Sequence, residues 1–212
     1  MRIVKEADER REEIVNEAVR LFAEKGFRNT SVNDILAAVN IAKGTFYYYF
    51  KSKEELLDEA IEMYTRDLTA KLNGIGRESD LNAVEKFIKV IVEASCSDSL
   101  FKQRIVAAIH QEGNELLHLK SLVVSVLCLV PVLTDIVEEG NEQGLCRVQF
   151  PKTTVETLLI AAQFMFNDRF FTEEESSSVL RLQEFLTVVE NMLNMEKGAL
   201  APLAVALAEA VE

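Results

Sequence analysis

The stretch KGTFYYYFKSKEEL, residues 43–56, places three of the four tyrosines of the chain side by side. Neighbouring residues on a helix point about 100° apart, so three adjacent rings cannot share one buried face. Phe46 and Phe50 are four residues apart and can be buried together, which puts Tyr48 on the opposite side. The stretch therefore predicts a short helix over about 43–50 with an aromatic inner face and an exposed outer face.

The outer face of this helix suits a nucleic acid. Gly44 allows close approach of the backbone, and Thr45 offers a hydroxyl and a methyl group. Tyrosine hydroxyls can donate to phosphates, and a lysine on either side can neutralise them. Such a face fits the major groove of DNA. The candidate DNA-binding residues here are Lys43, Gly44, Thr45, Tyr47, Tyr48 and Tyr49, with Lys53 beyond the helix.

Two helices are predicted before this one. The segment RREEIVNEAVRLFAEKGF has apolar residues at helical spacing and ends at Gly26, a residue typical of helix ends. A second short helix, capped by Thr30 or Ser31, extends to about Val39, and Asp34 can complete a capping box. The tight connection at Asn40 then leads into the tyrosine helix. Three helices with this short turn form a helix-turn-helix unit.

The distribution of charge supports this interpretation. The chain has a net charge of −12 over 212 residues, which at first argues against nucleic acid. Between Lys25 and Lys53, however, there are five basic residues and one acid, a local excess of +4. The alternative is a helical hairpin whose tyrosines contact no partner. The local positive charge and the preceding capped helix make it the weaker interpretation.

The segment TSVNDILAAVNIAKGTFYYYFKSKEELLDEAI resembles the DNA-binding signature of the tetracycline-repressor (TetR/AcrR) family, and the match covers about residues 10–65. A weaker similarity lies in IVEEGNEQGLCRVQFPKTTVETLLIA, residues 136–161. It resembles a connection between two helices in that family's second domain, in which G-x-x-x-G, a short extended segment and a proline follow the first helix. The resemblance implies an all-helical homodimer with an N-terminal DNA-binding domain and a C-terminal effector domain. By position it adds Thr30 and Ser31 as DNA contacts, together with the backbone of Ala42.

The expected fold class is therefore all-α, with a three-helix DNA-binding domain and a C-terminal helical bundle. The predicted divisions are a helix-turn-helix domain over 1–52, a linking helix over 53–73 and an effector-binding and dimerisation domain over 74–212. NGIGRESD, residues 73–80, is expected to end the linking helix. Further helices are predicted over about 80–94, 97–113, 115–139, 152–171 and 174–194, with a short one after Lys197.

The C-terminal region is expected to bind a lipophilic small molecule. Its long apolar helix contains Pro131, which interrupts helix packing and can leave a gap. A purely structural role for these apolar side chains is the alternative. The candidate ligand-binding residues are Phe87, Ile91, Phe101, Ile105, Ile109, His110, Val124, Cys128, Gln163, Phe164 and Asn167, and Phe166 and Asp168 are further candidates.

The last two long helices are apolar on more than one side, which predicts a four-helix dimer interface. The alternative is that both helices are buried within one chain. The candidate interface residues are Leu158, Ala162, Met165, Val188, Val189, Met192 and Leu193.

No pattern for catalysis, a metal or a cofactor is present, and His110 and His118 have no partner at a catalytic spacing. Three cysteines without CxxC spacing, the lack of a signal peptide and an uncharged run of only 14 residues over 121–134 suggest a cytoplasmic protein without a membrane span. The predicted function is a sequence-specific transcriptional repressor that a lipophilic effector releases from a palindromic operator. The alternative is a regulator that acts without an effector or through a protein partner.

Overall fold

The computed structural model describes residues 2–96, 115–166 and 175–209. All regular elements within these residues are helices, which confirms the all-α prediction. The helix predicted over 97–113 lies outside the described residues. The helices are α1 (Arg2–Lys25), α2 (Val32–Val39), α3 (Lys43–Tyr49), α4 (Lys53–Gly76), α5 (Ala83–Cys96), α6 (Glu115–Gln143), α7 (Pro151–Met165), α8 (Glu175–Leu193) and α9 (Ala201–Glu209).

The chain forms two compact units. The first contains Met1–Asp67 and Asp98–Val123, and the second contains Leu68–Ser97 and Val124–Glu212. Helices α4 and α6 therefore each contribute residues to both units. The domain limits predicted at residues 52 and 73 stay predictions.

The first unit is built on apolar faces of α1, α2 and α3. Ile14 and Phe22 of α1, Ile35 of α2 and Phe46 of α3 are all fully buried. Burying a side chain of this size contributes about 1.5–3 kcal/mol relative to leaving it exposed. This shared core fixes α3 with one face inward and the other face accessible.

The turns between these helices follow the capping signals in the sequence. Ser31 is the N-cap of α2: its Oγ accepts from Asp34 N at 3.2 Å, and the Asp34 carboxylate accepts from Ser31 N at 2.8 Å. This reciprocal pair is a capping box. Asn40 then adopts a left-handed conformation with φ 54°, which ends α2 and allows α3 to begin three residues later.

Helix α4 is longer than predicted. The sequence suggested a break from Asn73 onward, yet the helix continues to Gly76. Leu72 and Ile75 are buried in the second unit, and their burial outweighs the poor helix propensity of Asn73 and Gly74.

The later helices also differ at their ends from the predicted limits. Helix α6 extends four residues beyond the predicted 139, to Gln143, whose side-chain oxygen accepts from Ala83 N at 2.9 Å. Helix α7 begins with Pro151, a residue suited to the first turn because it lacks an N–H. It ends at Met165 rather than near residue 171, with Phe166 N bonded to Ala162 O at 3.1 Å.

Two carboxylates, part-buried Glu139 and buried Glu190, organise the second unit. Lys86 is 5% exposed, and its ammonium donates to both oxygens of Glu139 at 2.7 and 2.8 Å, joining α5 to α6. Glu190 of α8 is also buried, and its two oxygens accept from the backbone N–H groups of Gly198 and Leu200 at 3.0 and 2.9 Å. These bonds hold the loop that leads into α9.

Helix α6 contains the uncharged run over 121–134, which the sequence analysis interpreted as too short to cross a membrane. By length and composition alone, Leu119–Gln143 meets the criterion for a span, with a mean hydropathy of 2.0. The core helices of water-soluble proteins often meet it too. The C-terminal part of this helix is buried, with Leu133, Ile136 and Val137 at most 2% exposed, whereas Leu119, Val123 and Leu127 nearer its start are more than half exposed.

Candidate nucleic-acid interface

Helix α3 has the two faces that its sequence predicts. Phe46 and Phe50 are buried with ring centroids 5.8 Å apart, whereas Tyr48 is 78% and Tyr47 48% exposed. Thr45 is half-buried. An aromatic side chain that is more than three-quarters exposed contributes little to the fold, so the position of Tyr48 indicates a surface for a partner.

The glycine on this face is not required by the fold. A Cβ atom on Gly44 would meet no other atom of the chain within 4 Å, and Gly44 is not among the glycines with positive φ. Alanine would fit and is the better helix former. The absence of a side chain therefore leaves room for something outside the chain to approach the backbone.

The positive charge of this region is divided between exposed and internally bonded lysines. Lys43 and Lys51 are exposed, and the Lys43 ammonium lies 5.9 Å from the centroid of the Tyr47 ring. Lys25, in contrast, forms an ion pair with Asp34 at 3.1 Å. The exposed charge at the two ends of α3 therefore includes Lys43, its first residue, and Lys51, which follows its last turn.

Two of the predicted DNA contacts, buried Thr30 and half-buried Lys53, bond to backbone carbonyls within the chain. Thr30 is 1% exposed, and its hydroxyl donates to Gly26 O at 2.8 Å. The Lys53 ammonium donates to Phe27 O at 2.5 Å and to Thr30 O at 2.8 Å, and its partial burial lowers the pKa of the lysine. Thr30 is thus inaccessible to DNA, and Lys53 is engaged within the chain. A sequence pattern does not show the contacts of Lys53, because Phe27 and Thr30 lie more than 20 residues before it in the chain.

Ser31 is exposed, but its polar groups serve the helix cap. Its hydroxyl donates to the Asp34 carboxylate at 2.5 Å. This bond, the Ser31 backbone N–H and Lys25 lower the pKa of Asp34 to about 2. Asp34 is therefore ionised across the physiological range, and it reduces the net positive charge at the start of α2.

The predicted ligand-binding residues lie in different environments. Phe87 and Cys128 are buried, Ile91, Val124 and Gln163 are half-buried, and Phe164 and Phe166 are exposed. Their convergence on one pocket stays a prediction. The remaining candidates, Phe101, Ile105, Ile109, His110, Asn167 and Asp168, lie outside the described residues.

A groove of about 490 Å³ lies between α7 and α8. Of the predicted interface residues, Leu158, Met165, Val188 and Met192 line it, and Val188 and Met192 are 49% and 39% exposed. Val189 and Leu193 are instead buried within the chain, so they belong to the core beneath this surface. Ala162 is half-buried and does not line the groove.

In the part of the chain that the structure describes, no group of three or more His, Cys, Asp or Glu residues is placed to hold a metal ion. Cys128 and Cys146 are buried free thiols. Burial raises the pKa of Cys146, which makes that thiol less reactive.

Comparison with known proteins identifies the family. Residues 14–60 match the family model described as bacterial regulatory proteins, tetR family, and residues 101–188 match the tetracyclin repressor-like C-terminal domain. The chain belongs to the TetR family. TetR-family proteins are DNA-binding transcriptional regulators and not enzymes, in agreement with the sequence-based prediction.

The sequence similarity to individual TetR-family relatives covers a limited segment of the chain. The HTH-type transcriptional regulator YerO of Bacillus subtilis is 43% identical over 74 residues, which cover 35% of this chain and 25% of YerO. The HTH-type transcriptional repressor KstR2 of Rhodococcus jostii is 42% identical over 66 residues, covering 31% of this chain and 32% of KstR2. The chain thus spans about a quarter to a third of the length of these relatives.

The structural similarity extends over nearly the whole chain. The crystal structure of a γ-butyrolactone receptor, an ArpA-like protein, matches with a TM-score of 0.58 and 18% sequence identity, covering 97% of this chain and 98% of that protein. At this identity the similarity establishes the TetR fold alone.

The α7–α8 groove is also lined by six residues outside the predicted interface set. They are Thr157, Ala161, Leu180, Arg181, Glu184 and Phe185. Leu180 is 57% exposed, and the apolar spacing of Leu180 and Val188 on α8 is the signal from which it could have been found.

Proposed function

We propose that this TetR-family chain is a sequence-specific transcriptional repressor that reads DNA through the outer face of α3. The observation that supports this most directly is that Tyr48 is exposed beside Gly44, a position at which the fold itself does not require a glycine. Lys43 and Lys51 border the same face and can neutralise phosphates. The proposed DNA contacts are Ser31, Lys43, Gly44, Thr45, Tyr47, Tyr48 and Tyr49.

The proposed active form is a homodimer assembled through the α7–α8 groove. Its lining includes the exposed apolar side chains of Leu180, Val188 and Met192, a surface of the kind that a second copy covers. A two-fold dimer presents two α3 helices to successive major grooves, about 34–36 Å apart or a multiple of that distance. The operator is therefore expected to be palindromic.

Release from the operator is proposed to follow binding of a lipophilic small molecule in the C-terminal region of a cytoplasmic dimer. Support comes from the apolar character of α6 and from the fold shared with a γ-butyrolactone receptor. Because α4 and α6 each contribute residues to both compact units, they are the elements through which a ligand can influence the DNA-binding helices. In the first unit an ion pair between Lys120 of α6 and Asp58 of α4 joins these helices.

A small molecule can shift the protein only as far as its affinities for the bound and released conformations differ. Useful switching needs about 1–3 kcal/mol of coupling, and operator DNA must weaken ligand binding by the same factor. Truncating Tyr64 or Leu68 of α4 is expected to reduce this coupling while operator affinity without ligand changes little.

The test begins with selection of a duplex from a randomised DNA library, followed by fluorescence anisotropy. Tyr48→Ala and Lys43→Ala should each weaken binding by about 1–3 kcal/mol. Lys152→Ala, at an exposed position on α7 outside the proposed face, is the matched control and should bind as the unmodified protein does. Wild-type affinity in both α3 variants would show that α3 does not carry the interface.

The effector is tested separately. Compounds found by thermal-shift screening are added to the protein–duplex complex, and the affinity is measured again. Release of the duplex supports induction. Compounds that stabilise the protein without changing duplex affinity would favour the alternative regulator that acts without an effector.

A further inference from the structure

Helix α3 has few side chains that can recognise a base through hydrogen bonds. Residues 42–50 read AKGTFYYYF and contain no arginine, asparagine, glutamine, aspartate or glutamate. Arginine and lysine bond guanine, asparagine and glutamine bond adenine, and carboxylates accept from cytosine at the edges that bases present in the major groove. Of all these side chains, α3 offers only Lys43.

Lys43 lies to one side of the outer face. It is five residues before Tyr48, which places it about 140° around the helix from that tyrosine. Its ammonium lies 5.9 Å from the centroid of the Tyr47 ring, which is itself about 100° from Tyr48. A lysine in this position suits a phosphate at the edge of the groove better than a guanine on its floor.

The centre of the outer face consists of Gly44, Thr45 and Tyr48. Gly44 and Thr45 lie about 40° and 60° to either side of Tyr48. The Tyr48 ring is 78% exposed and packs edge-to-face against the Tyr49 ring, with centroids 4.9 Å apart. The hydroxyl groups of Thr45 and Tyr48 can donate as well as accept, so they distinguish bases poorly. What remains for selective contact is the methyl group of Thr45 and the aromatic ring of Tyr48.

We propose that α3 recognises its operator chiefly through the 5-methyl groups of thymines, with Thr45 and Tyr48 as the specificity-determining residues. Thymine is the base that presents an apolar group in the major groove, and threonine methyl and aromatic side chains are suited to contact it. Gly44 has no side chain to hold the helix away from that group. This inference rests on the proposed function for the statement that α3 enters the major groove.

The first experiment removes methyl groups from the DNA and leaves the protein unmodified. In the selected duplex, each thymine is replaced in turn by deoxyuridine, which lacks only the methyl group and still pairs with adenine. Burial of one methyl group corresponds to about a fourfold change in affinity, so substitution at a contacted thymine should weaken binding by about fourfold, and in both half-sites together by about 15-fold. Thymines outside the two half-sites are the matched control and should tolerate the change.

The second experiment measures the ratio of thymine to deoxyuridine affinity in protein variants. Thr45→Ser, which loses the methyl group, should bring the ratio close to 1 at one thymine, whereas Thr45→Val, which keeps a methyl group, should preserve it. Tyr48→Ala should remove the ratio at another thymine, and Tyr48→Phe should preserve it. Lys43→Ala should weaken binding to both duplexes and leave every ratio unchanged. Each ratio compares two duplexes with the same variant, so a change in the stability of that variant does not affect it.

Two results would overturn this inference while the proposed function stands. One is equal affinity for thymine and deoxyuridine at every position, above all if 7-deazaguanine, which lacks the N7 acceptor, weakens binding and thereby assigns recognition to Lys43. The other is a ratio that persists in both Thr45→Ser and Tyr48→Ala, because the methyl groups would then be recognised by residues outside α3. If no duplex can be selected, or if Tyr48→Ala and Lys43→Ala bind it normally, the proposed function fails and this inference fails with it.

Discussion

Replacing Gly44 with alanine should raise stability and lower DNA affinity in the same variant. The position is helical, lacks a positive φ and has open space where the Cβ would lie. Glycine within a helix costs about 0.5–1 kcal/mol relative to alanine. Because Gly44 is the second residue of a seven-residue helix, we expect the lower end of this range, or a rise in thermal midpoint of about 1–2 °C.

The effect on DNA binding has the opposite sign. A methyl group at Gly44 projects from the exposed face of α3, next to Tyr48, and holds the helix away from the DNA surface that it contacts. The loss of one closely fitted contact corresponds to about 1–3 kcal/mol, or roughly a 5- to 150-fold weaker affinity for the selected duplex.

The matched control is Gly74→Ala in α4. Gly74 is also helical and exposed, and a Cβ there would likewise meet no other atom within 4 Å. This variant should gain stability of the same order and bind the duplex with unchanged affinity. Calorimetry without DNA and anisotropy with the duplex measure the two effects. If Gly44→Ala bound DNA as tightly as Gly74→Ala does, close approach at Gly44 would be excluded.

Three further predictions concern other parts of the molecule. Met192→Glu, in the α7–α8 groove, should shift the protein to monomer in sedimentation and weaken duplex binding, whereas Val205→Glu on α9, an exposed apolar control, should do neither. Asp34→Asn should lower the free energy of unfolding at pH 7, since a pKa lowered to about 2 means that the carboxylate stabilises the fold above its ordinary pKa of 3.8. The difference should shrink as pH falls from 4 towards 2, and a difference independent of pH in urea titrations would contradict this account. Gly140→Ala should destabilise by about 1–3 kcal/mol, because its Cβ would lie 2.7 Å from the Cys146 sulfur. Adding Cys146→Ala should recover part of that loss, and no recovery would show that the collision is elsewhere.

Local signals were sufficient to predict the first three helices. The spacing of Phe46 and Phe50 determines which face of α3 is buried, and the Ser31–Asp34 pair marks the start of α2 through bonds between residues three positions apart. Both features depend on neighbours in sequence. The positions of Thr30 and Lys53 depend instead on carbonyls brought together by the fold, which a pattern of neighbouring residues does not show.

The C-terminal region was harder to predict for a related reason. Helix α8 is apolar on two sides, and periodicity alone does not show which side faces the interior. The structure resolves this choice, with Val189 and Leu193 buried and Val188 and Met192 accessible. Local propensity also failed at Gly74, where long-range packing of Leu72 and Ile75 continues the helix.

The bonds of Glu190 have a consequence for which substitutions the C-terminal loop can accept. Its carboxylate binds main-chain N–H groups, which every residue except proline provides, so most side chains in this loop are free to vary. Asn194, which has φ 50° and donates from its side-chain amide to Arg147 O at 2.8 Å, is restricted, and so are two further positions. Gly198 has φ 84°, which disfavours other residues, and Leu200 is fully buried. Among homologous chains, Glu190 and Gly198 should therefore be conserved together, while the residues around them vary.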